Sequence, residues 1–370
     1  MSIILFYNRI ILFKFEIIMK IVNYPQIQAI IEAEFPNFRK TVRKNFSLTT
    51  LSLLQSDTCS LPDIALQMTK INQNDHNTNL IRLSRFLKSS EFQIGDKEWR
   101  MFIKFVFNLL KEGVFISKGD MIPINVDYTS STDKFLILTA SIPFYKRGIP
   151  IYFSMRLYPK KKGMIDMKKM EKAFIKELAY ILPDGYKYVI ISDRGFGCQR
   201  FAELCLEYGF DYILRISKFL NLEVNGENKK IRDVKEDADY EIANITAKKW
   251  QTRLVVSMNK DKKKDDWYLV TSLSEVDYKK IINSYKKRFG IEKMFQDEKG
   301  SGFNIEKTKI IKYMRFKRLL FCILFTQVLL MFIGNYIINN VDEIKKNYRL
   351  HIGIVSVFSS SQEELVKYFL

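Results

Sequence analysis

Residues 122–128 read Ile-Pro-Ile-Asn-Val-Asp-Tyr, an apolar run that ends on a carboxylate, and residues 186–193 repeat the pattern as Tyr-Lys-Tyr-Val-Ile-Ile-Ser-Asp. The second run is short and almost continuously apolar, as expected of a strand covered on both faces in a parallel sheet. Between them, "KFLILTASIPF" (134–144) and "GIPIYFSMRLY" (148–158) are bounded by turn residues or charge and read as two further strands. An amphipathic helix follows through "MIDMKKMEKAFIKELAYIL" and stops at Pro183-Asp184-Gly185. After the second carboxylate come a helix, "CQRFAELCLEYG", and a strand, "DYILRIS".

Three strands, helix, strand, helix, strand is the order of an RNase H-like α/β domain, an order that other folds also use. Residues 218–276 change texture: "NLEVNG", "DADYEIANITA", "QTRLVVSMN" and "DDWYLVTSL" predict short strands around polar turns and a basic "KDKKKDD" loop. From about Asp277 the pattern returns to helix. Upstream, "IQAIIEAEF", "SLPDIALQM" and "WRMFIKFVFNLLKEG" carry helical apolar spacing, with Ser60 placed to cap a helix before Pro62. The expected organisation is an all-helical, DNA-binding N-terminal domain (19–118), an RNase H-like catalytic domain (119–217 and 277–340) interrupted by a β-rich insertion (218–276), and a helical C-terminal tail (341–370).

Two apolar stretches bear on the compartment. Met1 to Ile18 resembles a signal sequence but contains Arg9, Lys14 and Glu16 and lacks a small-residue cleavage site, so it reads as an upstream extension of a chain that starts at Met19. Leu319 to Ile333 is shorter than the roughly 20 residues of a membrane span and contains Gln327; a buried core helix is expected. Cys59, Cys198, Cys205 and Cys322 form no C-x-x-C pair, and His76 and His351 are the only histidines, which argues against a zinc site or a disulfide framework and fits a cytoplasmic setting.

The chain of 370 residues has 60 Lys and Arg against 41 Asp and Glu, a formal charge of +19 that favours a polyanionic partner, although the excess of Lys over Arg also suits an AT-rich genome. In "LIRLSRFLK", Arg82, Arg85 and Lys88 recur every three residues, which fits either a DNA-facing stripe or an ordinary solvated face.

Asp127 and Asp193 each end a strand, where ligand sites form in open α/β sheets. Singly, such a residue equally starts a turn or caps a helix. The third element is more specific. In "YKKRFGIEKMFQDEK" (285–299), Tyr285, Arg288, Glu292 and Lys299 fall within about a 60° arc of a helix at roughly 100° per residue, so one face would present a carboxylate flanked by a phenol and two cations. Arg forks onto a phosphate and Lys pairs with one as a point charge. Carboxylates from different elements suit hard magnesium ions, and two such ions roughly 3.5–4 Å apart can activate a nucleophile and stabilise a leaving oxyanion.

The 285–299 stretch resembles the Y-(2)-R-(3)-E-(6)-K signature of IS4-type DDE transposases, and "NVDYTSS" and "VIISDRGFG" resemble that family's two Asp boxes, in order. The resemblance runs from about Asp127 to the apolar helix near Leu330. It implies metal-dependent cleavage at transposon ends and strand transfer into target DNA. Asp127, Asp193 and Glu292 would bind Mg2+ or Mn2+, two ions in all, while Tyr285, Arg288 and Lys299 grip the terminal phosphates. It further implies double-stranded DNA as partner (inverted repeats and target), a dimer on paired ends, and β structure between the second Asp and the Glu. Trp267 lies near the family's position for a tryptophan that stacks on a flipped base; a tryptophan closing a core strand reads the same way. Phe289 departs from the Trp that many relatives place after the Arg, and Asp166–Tyr180 is unusually Lys-rich. Three other readings stay open: a nuclease of the same fold without strand transfer, a non-catalytic DNA-binding derivative, and a membrane protein anchored by Leu319–Ile333.

Overall fold

In the computed structural model, residues 22–339 are described, except 57, 132–133, 159–165, 225, 246–249, 260, 262–264 and 301. The expected upstream extension (1–18) and C-terminal tail (341–370) lie outside the described residues, as does most of the "KDKKKDD" loop.

Among the described residues five helices lead into the sheet: α1 (Tyr24–Glu34), α2 (Lys40–Leu54), α3 (Leu61–Asn72), α4 (His76–Lys88) and α5 (Asp96–Glu112). Their starts follow from local chemistry. Asn23 and Gln26 form a reciprocal capping box, and Ser60 and Asp75 accept the otherwise orphaned N–H groups of Asp63 and Thr78. Strands β1 (Met121–Ser131), β2 (Phe135–Phe144) and β3 (Arg147–Leu157) form an antiparallel meander, followed by α6 (Met167–Ile181), β4 (Lys187–Ser192), α7 (Gln199–Glu207) and β5 (Asp211–Arg215). β4 lies parallel between β1 and β5, and its Val189, Ile190 and Ile191 are fully buried, as a strand covered on both faces requires.

The next five strands, β6 (Asn221–Val224), β7 (Glu227–Lys230), β8 (Ala238–Ile245), β9 (Trp250–Ser257) and β10 (Trp267–Thr271), do not form a unit apart. β10 pairs antiparallel with β5, so the described strands make one ten-stranded sheet in the order β3-β2-β1-β4-β5-β10-β9-β8-β6-β7. The region expected as an insertion therefore continues the central sheet. Helix α8 (Tyr278–Lys286) then packs against β9, α9 (Phe289–Lys299) against β1, β2 and β3, and α10 (Tyr313–Asn339) follows.

Helix α10 is longer than the apolar run that announced it, and Tyr313–Tyr336 is long and apolar enough to cross a membrane. Its side chains, however, face protein. Phe316 and Leu319 to Phe325 are buried, against α2, α4, α5 and β3. Phe321 and Phe325 enter an aromatic cluster with Phe35, Phe46 and Phe102, at centroid separations of 4.9–6.4 Å. Trp99 extends it to the sheet through Phe153 at 5.1 Å. Each such ring contributes about 1.5–3 kcal/mol by burial, so the N-terminal helices and the sheet share one core. Buried Arg318 satisfies the chain leaving α4, its Nε donating to the Phe92 carbonyl (2.5 Å) and its Nη1 to that of Leu87 (3.0 Å).

Candidate active site

The parallel pairing of β1 with β4 sets Val126 opposite Ser192, so Asp127 and Asp193 are the next residues on neighbouring strands, at the same edge of the sheet. The backbone around each is braced. Asp193 turns its chain sharply, Oδ1 accepting the Gly195 N–H (2.8 Å), and a Cβ at Gly195 would crowd that oxygen at 3.1 Å. Phe196, further along the same loop, stacks flat on Tyr128, with centroids 5.2 Å apart and planes 7° from parallel. The Tyr128 hydroxyl approaches Glu171 of α6 at 3.5 Å, and Glu171, itself buried, is ion-paired with Arg200 of α7. The two aspartate loops are thus tied together by an aromatic pair standing on the ion pair of buried Glu171 with the more exposed Arg200.

Glu292 arrives from a different direction. Where one straight helix was expected over 285–299, the chain breaks between α8 and α9, with i to i+3 bonds from Lys287, Arg288, Gly290 and Ile291. The Lys287 carbonyl, which accepts the Gly290 N–H (3.1 Å), also accepts from buried Asn125 of β1, whose Nδ2 donates to it at 3.2 Å. Gly290 lets α9 lie directly on the start of β3: a Cβ there would sit 2.6 Å from the Arg147 carbonyl oxygen. Arg147 in turn reaches Asp297 at 2.6 Å. These contacts hold the first turn of α9 against β1 and β3 and bring Glu292 to the Asp127 side of the sheet.

Asp127, Glu292 and Lys299 line one open cleft of about 780 Å3 with Thr129 and Gln296. Arg288, buried between the acids, donates to Glu292 Oε1 (2.6 Å) and lies 3.5 Å from Asp127 Oδ2. Burial, with the Asp193 charge second and Glu292 adding to it, pushes the Asp127 carboxyl up to about 6, against the Tyr128 N–H and Arg288. Asp127 therefore feels both of the other carboxylates. Carboxylate oxygens are the hard donors that a divalent cation takes. Among the described residues no three His, Cys, Asp or Glu side chains are grouped closely enough to hold a single ion.

The other predicted residues separate. Tyr285 is fully buried, its ring against Trp267 (5.1 Å) and beneath the Arg288 guanidinium. The kink between the helices, which turns it inward, removes it from the face that Glu292 and Lys299 share. Trp267, half-buried, bridges Tyr285 and the exposed Phe289 (6.2 Å). On the opposite side of α9, Lys146, Lys286, Lys287 and Lys293 border a second cleft with Phe289. Arg82 and Arg85 lie on α4, in a groove of the N-terminal helices rather than at the carboxylates.

Asn125, Tyr128, Glu171, Phe196, Arg200 and Gly290 were not singled out by sequence. Asn125 carried a legible signal, an amide inside an otherwise apolar strand, which needs a partner when buried. Glu171 and Arg200 lie 29 residues apart on two helices, and only the packing shows them as a pair.

Residues 166–329 match the family model described as the transposase DDE domain; the match includes Asp193, Tyr285, Arg288, Glu292 and Lys299 and begins beyond Asp127. No curated protein matches the chain in sequence at a significant level. Among solved structures it is similar to piggyBac transposase in a synaptic complex with hairpin DNA, at 11% identity and a TM-score of 0.40, over 82% of this chain and 68% of that one. It is also similar to endonuclease V of Ciona intestinalis in complex with inosine-containing DNA, at 12% identity and 0.29, over 52% of this chain and 94% of that one. Endonuclease V of Bacillus subtilis scores 0.27 at 14% identity, over 54% and 84% of the two chains. Likenesses of this degree carry no functional weight.

Proposed function

We propose that this chain is an IS4-type DNA transposase that cleaves double-stranded DNA at transposon ends and joins the freed 3′-hydroxyl to target DNA in a cut-and-paste reaction. The observation that carries the reading is the meeting of Asp127 and Glu292 in one cleft with Lys299, with Asp193 on the adjacent strand acting on Asp127. The match of residues 166–329 supports the same class.

In this reading Asp127, Asp193 and Glu292 would hold two Mg2+ or Mn2+ ions, whose preference for hard oxygen donors carboxylates satisfy. Bound there, the metal supplies an activated water or 3′-hydroxyl and charge stabilisation for the leaving oxygen. The protein's own part is positioning. Asn125 and Gly290 fix the approach of α9, while Tyr128 on Phe196 fixes the two aspartate loops. Arg288 neutralises part of the carboxylate charge and offers a planar fork to a phosphate; Lys299 adds a point charge in the cleft. Trp267 and Phe289 form an aromatic step beside them on which an unstacked base can rest. The protein acts as a dimer on paired ends, in the cytoplasm of a prokaryotic cell.

The test is the DNA that flanks the gene. Short inverted repeats from that DNA, incubated with the full chain and Mg2+, are expected to be cut and joined to a second duplex. Asp193→Asn and Glu292→Gln should each abolish cutting while binding in EDTA persists. Retained cutting by either variant rejects the assignment, and nicks without joined products reject transposition in favour of plain hydrolysis.

A further inference from the structure

Helices α3 and α4 are joined by three residues, Gln73 to Asp75, with Gln73 in the left-handed region (φ +60°) and Asp75 capping α4 by accepting the Thr78 N–H (2.9 Å). The joint is locked by an amide pair, buried Asn79 against half-buried Asn72. Asn79 Nδ2 donates to Asn72 Oδ1 (3.0 Å) and to Thr69 Oγ1 (3.2 Å), and Asn72 Nδ2 returns a bond to Asn79 Oδ1 (2.8 Å). Two helices joined by a short rigid turn form the supersecondary unit whose second helix can be offered to a DNA groove.

The outward face of α4 carries Thr78, Ile81, Arg82 and Arg85 at spacings of three and four, so they lie in one row. Ile81 is 51% exposed, an aliphatic side chain left to solvent between polar neighbours. Opposite this row stand Thr41, Lys44 and Asn45 of α2, and the two helices enclose a groove of about 680 Å3 whose lining includes no carboxylate.

The charge of α2 is the second observation. Arg39, Lys40, Arg43 and Lys44 crowd its N-terminal turns, no acid lies in its first turn, and Arg39 makes no side-chain cap. The positive end of a helix dipole disfavours cations; Arg39 is offset by its ion pair with Glu91 (2.8 Å) and Arg43 donates to the Pro36 carbonyl (3.0 Å), whereas Lys40 and Lys44 have no such partner among the described residues and would be compensated by an external anion. Arg85 and Lys88, in the last turn of α4, have the ordinary explanation of favourable dipole contacts. Lys40 and Lys44 do not.

We propose that this groove is a duplex-DNA docking surface. The exposed row of α4 enters the major groove, and the N-terminal turns of α2 hold a backbone phosphate through Thr41, Lys40 and Lys44. The side chains of the row match the edges of bases, since Arg pairs with guanine, Ile meets a thymine methyl, and Thr serves either base pair. Beyond the transposase reading, on which it rests, the inference names the helix that reads the sequence of the transposon ends and separates it from the helix that grips the backbone.

The experiment selects duplexes from a randomised pool with the full chain in EDTA, then measures affinity for the selected duplex against salt. Lys40→Ala and Lys44→Ala should weaken binding to selected and random duplexes alike and flatten the salt slope by about 1 each. Arg85→Ala and Ile81→Ala should relax the selected sequence at one position, with a roughly five- to hundredfold loss on the selected duplex. Lys229→Ala, the same charge change on the hairpin at the far end of the sheet, should alter neither readout. Thermal midpoints of all variants establish that they fold. Unchanged selection by the α4 variants, or an unchanged slope for both lysine variants, overturns the inference; an acidic protein as the groove's occupant would give that second result. Because selection runs without metal, its failure is distinct from a failure of metal-dependent cleavage.

Discussion

Replacing Asp127 with Asn should make the protein more stable and inactive at once. In the fold this carboxyl is pushed from 3.8 to about 6, chiefly by burial and then by Asp193. A raised acid contributes its full stability only below its unfolded pKa; the loss accrues as pH rises from about 4 to 6 and is complete above. At pH 7.5 the ionised Asp127 therefore costs about 3 kcal/mol. Asn removes the charge and can keep the short contact to the Tyr128 N–H (2.8 Å in the wild type). It forfeits the 3.5 Å approach of Arg288, a lesser effect. In a chain of this size each kcal/mol moves the melting temperature by about 2 °C. The variant should melt roughly 4–6 °C above wild type at pH 7.5 in EDTA and level with it near pH 4. Mg2+ at a hundred times its Kd should then stabilise the wild type by about 2.7 kcal/mol and the variant by less. Scanning fluorimetry across pH, with and without Mg2+, reads both effects. A variant that melts at or below wild type in EDTA, or that gains equally from Mg2+, refutes the idea that repelling carboxylates await a cation.

Other substitutions probe the supports. Gly290→Ala forces a Cβ to 2.6 Å from the Arg147 carbonyl oxygen, so α9 must move; cleavage should fall at least tenfold, with about 1–3 kcal/mol of stability lost in urea titrations. Phe321→Ala empties the centre of the cluster shared by α2, α5 and α10 and should cost about 3–5 kcal/mol, unfolding the N-terminal helices and the sheet in one transition. Two transitions would contradict a shared core. Glu298, buried within α9 and pushed up to about 8 mainly by burial, carries a penalty that grows from about pH 4.5 to 8. Glu298→Gln should thus stabilise progressively over that range and be neutral near pH 4.5, as thermal melts would show.

Much of the fold could be read from residues whose periodicity matches what covers them. Val189 to Ile191 announce a strand buried on both faces, and Ser60 and Asn23 mark helix starts with their own hydrogen bonds. Asp127 and Asp193 stand out in the sequence because each closes an apolar run, and Glu292 because of its spacing from Tyr285, Arg288 and Lys299. What stayed hidden depends on partners distant in the chain. The pairing of β10 with β5 joins the β-rich stretch to the central sheet, and strand texture alone names no neighbour. The break at Lys287 buries Tyr285, where ideal helical spacing puts it beside Glu292; the break is held by Asn125, 162 residues away. Likewise Tyr128 on Phe196 becomes visible only when β1 and β4 lie side by side.

The claim on which the rest stands is that residues 127, 193 and 292 share a metal site. Fe2+ loaded in place of Mg2+, with ascorbate and peroxide, cuts a polypeptide beside the bound ion, and the fragments can be sized by mass spectrometry. Scission near all three positions, suppressed by excess Mg2+ and lost in Asp127→Asn, is the expected result. Scission near none of them, or at sites indifferent to Mg2+, would contradict it.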